Sequence, residues 1–238
     1  MPFYLIDKPV GPTSHDIVDQ VRRLTGERRV GHAGTLDPFA SGLLIVAVGR
    51  ESTKELSKFV GLDKVYEATF VLGGSSDTDD VTGKITPVPL PADLLILQNN
   101  DDRRGFEEKI KTAMKKFTGQ IEQVPPDYAA IKINGKKMYE AAREGKPLEA
   151  KARTVTIFEY ELLDADITKP QPEGERPLAP TIKINVRIHC SSGTYIRALA
   201  RDLGRELGTG GYVSELRRTA IGNYKVENAG VLPVLVGF

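Results

Sequence analysis

The chain has 238 residues, 40% of them hydrophobic, and a formal net charge of +1. That length allows one large domain or two small ones, and the apolar content is sufficient for a substantial core. Because the total charge is close to zero, any affinity for a polyanion has to come from local basic patches. Cys190 is the only cysteine, which excludes a disulfide framework and favours a reducing, cytoplasmic location.

Several functional patterns are missing from the sequence. Three scattered histidines and one cysteine do not give the ligand spacing of a structural zinc site, so we expect no metal. No Walker A or dinucleotide fingerprint is present, so no adenosine cofactor is indicated. The N-terminus lacks a basic region followed by an apolar one, and the apolar runs are too short to span a bilayer. We therefore expect neither a signal peptide nor a membrane partner.

The N-terminal segment predicts a strand, a turn and a helix. Phe3–Ile6 is suited to a strand, and the prolines and glycine of residues 9–12 indicate a turn. Lys8 lies just before this turn and, taken by itself, is a solvated charge. Ser14 is a suitable N-cap for a helix that ends near Leu24. One face of this helix carries Ile17, Val18, Val21 and Leu24.

A stretch rich in small residues, GHAGTLDPFASGLL at Gly31–Leu44, leads into the apolar segment Leu43–Gly49. That segment is short, continuous and partly β-branched, which predicts a buried strand. Asp37 precedes a proline, so its backbone is restricted, and a carboxylate in such a stiff loop could be a nucleophile or a base. An Asx-turn or a helix cap is the alternative, and spacing alone favours it. His32, taken by itself, is best interpreted as a buried core residue.

The next segment predicts a helix over Glu51–Leu62 and an alternating strand over Lys64–Leu72. Tyr66 then points inward, where a core tyrosine with a satisfied hydroxyl is the simple interpretation. The polar, turn-rich segment Gly73–Gly83 lacks the spacing and terminal glutamate of an EF-hand. We expect it to be a solvated loop.

Residues 86–105 are rich in proline and polar side chains, which predicts a surface excursion. Phe106–Phe117 predicts an amphipathic helix that ends at Gly119. Its apolar stripe is more typical of core packing than of a binding face.

The segment Val124–Arg153 has a marked basic character. Asn134–Gly135 is a strong hairpin signal, and a short helix is predicted over Lys137–Glu144. From Tyr128 onward the segment has seven basic and three acidic side chains, a charge of +4. A basic hairpin and helix of this kind suits an RNA backbone better than a merely solvated excursion.

The C-terminal third predicts two alternating strands, Thr154–Leu163 and Thr181–Cys190, joined by a proline-rich segment. A helix over Gly193–Leu207 follows, with Thr194 as its cap. Arg197 lies in the first turn of this helix, where the helix dipole disfavours a cation. We therefore expect its guanidinium to face an anion.

Two groups of arginines leave alternatives open. A last strand, Tyr212–Thr219, contains Arg217 and Arg218, which are either phosphate contacts or solvated charges. A second group precedes the Asp37 segment and either neutralises phosphates or provides helix-end charge. This second group is Arg22, Arg23, Arg28 and Arg29.

Five segments, in the right order, resemble the TruB family of tRNA pseudouridine synthases. They are DKPVGPTSHD (Asp7–Asp16), GHAGTLDPFASGLL (Gly31–Leu44), KVYEATFVLGGSSDTDDVTG (Lys64–Gly83), SSGTYIRALARDLG (Ser191–Gly204) and SELRRTAIG (Ser214–Gly222). The similarity extends over nearly the whole chain. It implies an α+β pseudouridine synthase fold with a central, mostly antiparallel sheet flanked by helices. Residues 1–238 would form one catalytic domain, with the insertion of residues 124–153 as a thumb that closes over the tRNA T-loop.

The resemblance also implies roles for individual residues. Asp37 matches the catalytic aspartate, and Arg197 the arginine that pairs with it and keeps it ionised. Tyr66 matches the tyrosine that stacks on the uracil and can transfer a proton. His32 matches the histidine that helps to keep the flipped nucleotide out of its loop. Leu216 matches a residue that packs against the target base.

Lys8 belongs to a segment that supports the active site in this family. The implied reaction is the isomerisation of uridine 55 in the T-loop to pseudouridine, which needs no cofactor because nothing is gained or lost overall. We expect tRNA as the partner, with a monomeric enzyme and no obligate protein partner. The predicted RNA contacts are Arg28, Arg29, Lys132, Lys136, Lys137, Arg143, Lys151, Arg217 and Arg218.

Family members commonly continue into a PUA domain, and the C-terminal sequence VLPVLVGF leaves no room for one. We therefore expect the catalytic domain alone. One alternative is a tRNA-folding chaperone or binding module that acts on the tRNA elbow. Another is a guide-dependent pseudouridine synthase. The combination of Asp37, Tyr66 and Arg197 argues against binding alone, and the expected lack of a PUA domain argues against guide dependence.

Overall fold

The computed structural model describes residues 2–95, 100–129, 131–133, 135–146, 148–168 and 180–231. The strands are β1 (Phe3–Lys8), β2 (Val30–Ala33), β3 (Ser41–Val48), β4 (Lys64–Leu72), β5 (Gly74–Ser76), β6 (Ile85–Pro87), β7 (Gly119–Gln123), β8 (Lys132–Ile133), β9 (Lys136–Lys137), β10 (Arg153–Thr168), β11 (Thr181–Cys190), β12 (Gly211–Ile221) and β13 (Tyr224–Lys225). The helices are α1 (Ser14–Thr25), α2 (Arg50–Lys54), α3 (Leu56–Val60), α4 (Ala92–Leu95), α5 (Asn100–Lys115), α6 (Met138–Arg143) and α7 (Ile196–Glu206), and a 3-10 turn covers Val226–Asn228.

Nine of these strands form one sheet in the order β1-β3-β12-β4-β11-β10-β7, with β2 paired to β3 and β13 paired to β12. The pairs β1–β3, β2–β3, β7–β10 and β12–β13 are antiparallel, whereas β3–β12 is parallel. The sheet is therefore mixed but mostly antiparallel. Together with the helices, it confirms the α+β class that the sequence predicted.

The described residues fall into two compact units. One unit draws on Met1–Glu67, His189–Ser192 and Leu216–Phe238, and the other on Ala68–Ile188 and Gly193–Glu215. Three of the four boundaries between them lie inside β4, β11 and β12, and the fourth lies between Ser192 and Gly193, ahead of α7.

In the first unit, β3 is buried along almost its whole length, which accounts for its continuous apolar sequence. Ile45 belongs to one apolar cluster together with Ile221 and Val226. Leu44 and Val46 belong to the other, which also contains the buried face of α1. The prediction of a buried strand at this position is confirmed.

Helix α1 begins differently from the prediction. Its N-cap is Thr13, whose Oγ1 accepts a hydrogen bond from Asp16 N at 3.1 Å, while the Asp16 carboxylate accepts from Thr13 N at 2.8 Å. This reciprocal pair is a capping box. Ser14 is therefore not the cap, and its hydroxyl is used elsewhere. Leu24 is 47% exposed, so the apolar face ends at Val21.

Three other helix predictions need correction. The helix expected over residues 51–62 consists of the short helices α2 and α3, which are separated at Glu55. The N-cap of α7 is Tyr195, not Thr194. Helix α5 ends at Lys115, and Gly119 begins β7 instead of ending the helix.

Candidate active site

Asp37 lies in the loop between β2 and β3, and two contacts with the N-terminal segment anchor this loop on either side of it. Leu36 N donates to Ser14 Oγ at 2.8 Å. Gly11 N donates to Pro38 O at 2.8 Å. The backbone around Asp37 is therefore held in place, and its side chain is half-buried.

Lys8, at the end of β1, is fully buried and is not the solvated charge that its sequence position alone suggested. Its Nζ donates to Pro9 O and to Pro12 O, both at 2.8 Å. Burial lowers the pKa of this ammonium group to about 8, and the negative charge of Asp37 opposes that shift. Lys8 thus brings a positive charge close to the Asp37 carboxylate, which fits the supporting role implied by the resemblance.

Tyr66 points inward from β4, as the alternation predicts, and is 9% exposed. Burial raises the pKa of its phenol, whereas the positive charge of Arg218 acts in the opposite direction. Arg218 itself is 1% exposed. Its Nε donates to Leu43 O at 2.8 Å, and its Nη2 donates to Gly34 O at 3.1 Å.

Of the two sequence interpretations of Arg218, the solvated charge is therefore wrong, because the side chain is buried. The phosphate contact stays a prediction. Arg218 follows Leu216 by two residues in β12, and both side chains are buried. Since side chains two residues apart in a strand share a face, an inward Leu216 places Arg218 inward as well. That alternation was the signal in the sequence that would have indicated a buried arginine.

His32 is half-buried on β2, so it is less buried than the core residue that the sequence alone suggested. Its Nδ1 is buried and has no hydrogen-bond partner among the described residues. Burial lowers the pKa of the imidazole, and the charge of Arg218 adds to this effect. A ring that is neutral at physiological pH suits stacking on a nucleotide, which is the role implied by the resemblance.

In the second unit, Arg197 is buried in the first turn of α7 and faces an anion, as the sequence predicted. Its Nη1 donates to Asp80 Oδ2 at 3.2 Å and to Thr78 O at 2.9 Å, and its Nη2 donates to Tyr128 O at 3.2 Å. The sequence did not indicate Asp80 as this partner. The pairing of Arg197 with Asp37, which the resemblance implies, stays a prediction.

The segment Gly73–Gly83 is not the solvated loop that its polar composition predicted. Asp79 and Asp80 are 9% and 4% exposed. Asp79 Oδ2 accepts from Arg201 Nη1 at 2.9 Å, and burial nevertheless raises the pKa of its carboxyl to about 6. The acidic run therefore supplies buried partners to Arg197 and Arg201, which lie one turn apart on α7. The i,i+4 spacing of Arg197 and Arg201 was visible in the sequence, and it indicated that both side chains lie on the same face of α7.

Comparison with protein-family models gives matches along most of the chain. Residues 22–196 match the TruB family pseudouridylate synthase N-terminal domain. Residues 197–232 match the tRNA pseudouridylate synthase B C-terminal domain. The chain belongs to the TruB family.

Individual TruB relatives are similar over nearly the whole chain. The tRNA pseudouridine synthase B of Thermobifida fusca is 44% identical over 97% of this chain and 73% of its own length. The enzyme of the same name from Leifsonia xyli is 45% identical over 97% of this chain and 70% of its own length. A chain in a crystal structure of a Cbf5-Nop10-Gar1 complex is 28% identical with a TM-score of 0.65. That match covers 97% of this chain and 52% of the neighbour, so the chain spans about half of that protein.

The residues predicted to bind RNA in this TruB chain have different surroundings. Arg28, Arg29 and Lys151 are exposed. Arg217 is not simply solvated, since its Nη2 lies 2.7 Å from Asp7 Oδ2. The remaining predicted contacts belong to the thumb, and their side chains lie outside the described part of the structure. They are Lys132, Lys136, Lys137 and Arg143.

The backbone of the thumb agrees with the sequence prediction. Strands β8 and β9 pair antiparallel. Gly135 lies between them with a φ of +82°, and α6 follows. The hairpin and the short helix are therefore confirmed.

Among the described residues, no group of three or more histidine, cysteine, aspartate and glutamate side chains could hold a metal ion. The same part of the chain has no helix that is long and apolar enough to cross a membrane.

Proposed function

We propose that this chain converts the T-loop uridine of tRNA, conventionally numbered 55, to pseudouridine. Relatives that are 44% and 45% identical bear the name tRNA pseudouridine synthase B. The observation that carries the proposal is the surroundings of Asp37. Its carboxylate lies in an anchored loop and interacts electrostatically with the buried Lys8 ammonium and with the Tyr66 phenol.

The reaction rearranges the nucleotide without adding or removing atoms. The N1–C1′ bond of the uridine breaks, the uracil turns, and a C5–C1′ bond forms. The proton on C5 leaves to solvent, and N1 gains a proton. The reacting atoms of a stacked base are out of reach, so the nucleotide has to be flipped out of its loop first. Asp37 is assigned as the carboxylate that attacks or eliminates.

The neighbours of Asp37 suit it to this role. A cation near a carboxyl group favours its ionised form, so the Lys8 ammonium stabilises the charge that Asp37 needs for attack. Tyr66, whose phenol pKa is raised by burial, stays protonated at neutral pH and offers its ring to the uracil. We assign Arg197 to orient Asp37, and Leu216 and His32 to hold the flipped base and its loop.

Binding of tRNA is assigned to the thumb and to exposed arginines near the Asp37 loop. The segment from Tyr128 to Arg153 carries a charge of +4, more than the whole chain. Arg28 and Arg29 are exposed before β2. Cations at these positions would neutralise backbone phosphates without reading the sequence of bases.

The decisive test is the variant Asp37→Asn with an unmodified tRNA transcript labelled with tritium at uracil C5. Loss of the ionised carboxylate should reduce tritium release by about a thousandfold or more, while tRNA affinity stays close to that of the wild-type protein. The exposed Asp166 on β10 provides the control variant Asp166→Asn, which should retain wild-type release. Continued release by Asp37→Asn would disprove the assignment of Asp37.

The same substrate separates the proposed enzyme from its alternatives. A stand-alone synthase, acting as a monomer in the cytoplasm, modifies a bare transcript without partner proteins or guide RNA. A guide-dependent enzyme would release tritium only after its partners are added, and a folding chaperone would release none in either case.

A further inference from the structure

We propose that Arg218 is a positioning residue for pseudouridine formation, which holds the Asp37 loop and the Tyr66 phenol in one fixed arrangement. This inference rests on the proposed function. Arg218 is almost completely buried in β12, and its guanidinium donates to the backbone on both sides of Asp37 and interacts electrostatically with Tyr66.

The first two contacts tie together the two ends of the Asp37 loop. Gly34 precedes Asp37 by three residues, and Leu43 follows it by six. Arg218 donates to the carbonyl oxygen of each, at 3.1 Å and 2.8 Å. Because a guanidinium is planar and presents its donors in a rigid fork, these two bonds fix the distance between the ends of the loop.

An electrostatic interaction relates the same guanidinium to the tyrosine. The positive charge of Arg218 opposes the rise that burial causes in the pKa of the Tyr66 phenol, and the charge of Asp37 also acts on this phenol. One buried group therefore holds the loop that carries the proposed nucleophile and interacts with the proposed base-stacking ring. Displacements of about 1 Å in such a constellation can reduce a reaction rate by about 10²-fold.

The backbone of Arg218 also packs against the exit of the loop. Gly42 pairs with Arg218 in the parallel bridge between β3 and β12. A Cβ atom at Gly42 would lie 2.3 Å from Arg218 O, so only glycine permits this approach. The contact places Arg218 next to the Asp37 loop independently of its side-chain rotamer.

The charge of Arg218 also affects the pKa values of nearby titratable side chains. It contributes to the lowered pKa values of Lys8 and His32, and it opposes the raised pKa of Tyr66. A lysine at position 218 would keep this charge but would lose the planar arrangement of donors. The variant Arg218→Lys therefore separates geometry from charge.

The experiment compares Arg218→Lys, Tyr66→Phe and the double variant, with the labelled tRNA transcript under single-turnover conditions. We expect Arg218→Lys to slow tritium release by about 10²-fold at saturating enzyme, while the Kd for tRNA changes by less than about threefold. Because the two residues share one interaction, the double variant should be no slower than the slower single variant. Arg187→Lys, at an exposed arginine on β11, is the matched control and should keep the wild-type rate.

The outcomes distinguish this inference from the proposed function. A wild-type protein that releases no tritium would refute the proposed function. If the wild-type protein is active and Arg218→Lys releases tritium at the same rate, the positioning role is refuted. It is also refuted if Arg218→Lys binds tRNA more weakly and with a smaller salt dependence while its rate of tritium release is unchanged. If Arg218→Lys does not fold by circular dichroism, Arg218→Gln decides, because its amide keeps a hydrogen-bond donor without the charge or the guanidinium fork. A slower rate at an unchanged melting temperature then supports the role, and a wild-type rate refutes it.

Discussion

Arg197 Nη1 and Asp80 Oδ2 are 3.2 Å apart, and their side chains are only 6% and 5% exposed. The carboxylate also accepts from Thr78 Oγ1 at 2.8 Å, and the guanidinium also donates to two backbone carbonyls. A buried ion pair of this kind is costly to form but far more costly to break on one side, because the remaining charge stays buried without its opposite charge.

The first prediction concerns this pair. Asp80→Asn should lower the free energy of unfolding by about 3 kcal/mol or more, because it leaves the Arg197 guanidinium buried beside a neutral amide. Urea denaturation followed by circular dichroism measures the loss. Asp202→Asn is the comparison, since the pair between Asp202 and Arg201 is more exposed and should be worth about 1 kcal/mol or less. Equal losses in the two variants would contradict the prediction.

A second prediction uses two glycines with nearly the same backbone conformation. Gly42 and Gly11 have φ values of +106° and +109°, but a Cβ at Gly11 would meet nothing within 4 Å. Gly11→Ala should therefore lower the free energy of unfolding only by the conformational strain of an alanine with positive φ, about 1–2 kcal/mol. Gly42→Ala should lose several kcal/mol more, because its Cβ would collide with the backbone of Arg218. Thermal melting of both variants measures the difference, and similar melting temperatures would show that β12 can move away.

The third prediction concerns the pH dependence of stability. The pKa of Asp79 is raised by burial from its ordinary value of 3.8 to about 6. Between these values the folded chain holds a proton that the unfolded chain has lost, so the free energy of unfolding falls as the pH rises. The loss attributable to this group is about 3 kcal/mol at most.

The variant Asp79→Asn removes this titration. The free energy of unfolding of Asp79→Asn, measured relative to that of the wild-type protein, should therefore be higher at pH 7 than at pH 4.5. Urea denaturation of both proteins at the two pH values gives the comparison. A difference between them that does not change with pH would show that Asp79 titrates as an ordinary surface carboxyl group.

The fourth prediction addresses the thumb, whose charge follows from the sequence. Replacement of Lys132, Lys136 and Lys137 together by glutamine should reduce the slope of log Kd for tRNA against log salt concentration. The expected reduction is up to about 0.7–0.9 for each lost phosphate contact. A second triple variant at exposed lysines outside the thumb, Lys54, Lys58 and Lys111, provides the control. An unchanged slope in the thumb variant would remove these lysines from the RNA interface.

Sequence reasoning succeeded where one periodicity dominates. Strand β3 was predictable because both of its faces are buried and its apolar run is unbroken. Tyr66 was placed inward by the alternation of β4. The hairpin of the thumb followed from the Asn134–Gly135 signal. In each case a local pattern determined the local structure.

The errors occurred where a charged side chain is buried. Composition rules assign arginines and aspartates to the surface, because an unpaired charge is costly to bury. Arg218 is buried because backbone carbonyls 175 or more residues away accept its hydrogen bonds. Asp79 and Asp80 are buried because two arginines of α7 meet them. Such partners are distant in the sequence and become visible only in the fold.

The bond from Arg218 Nε to Leu43 O joins residues that are 175 positions apart. During synthesis at about 5–20 residues per second, the segment around Asp37 therefore waits roughly 10–35 s for the strand that completes it. Contacts of such long range also slow the search for the native state. A nascent chain arrested before residue 218 should accordingly leave the Asp37 segment open to protease, and release of the last strand should close it.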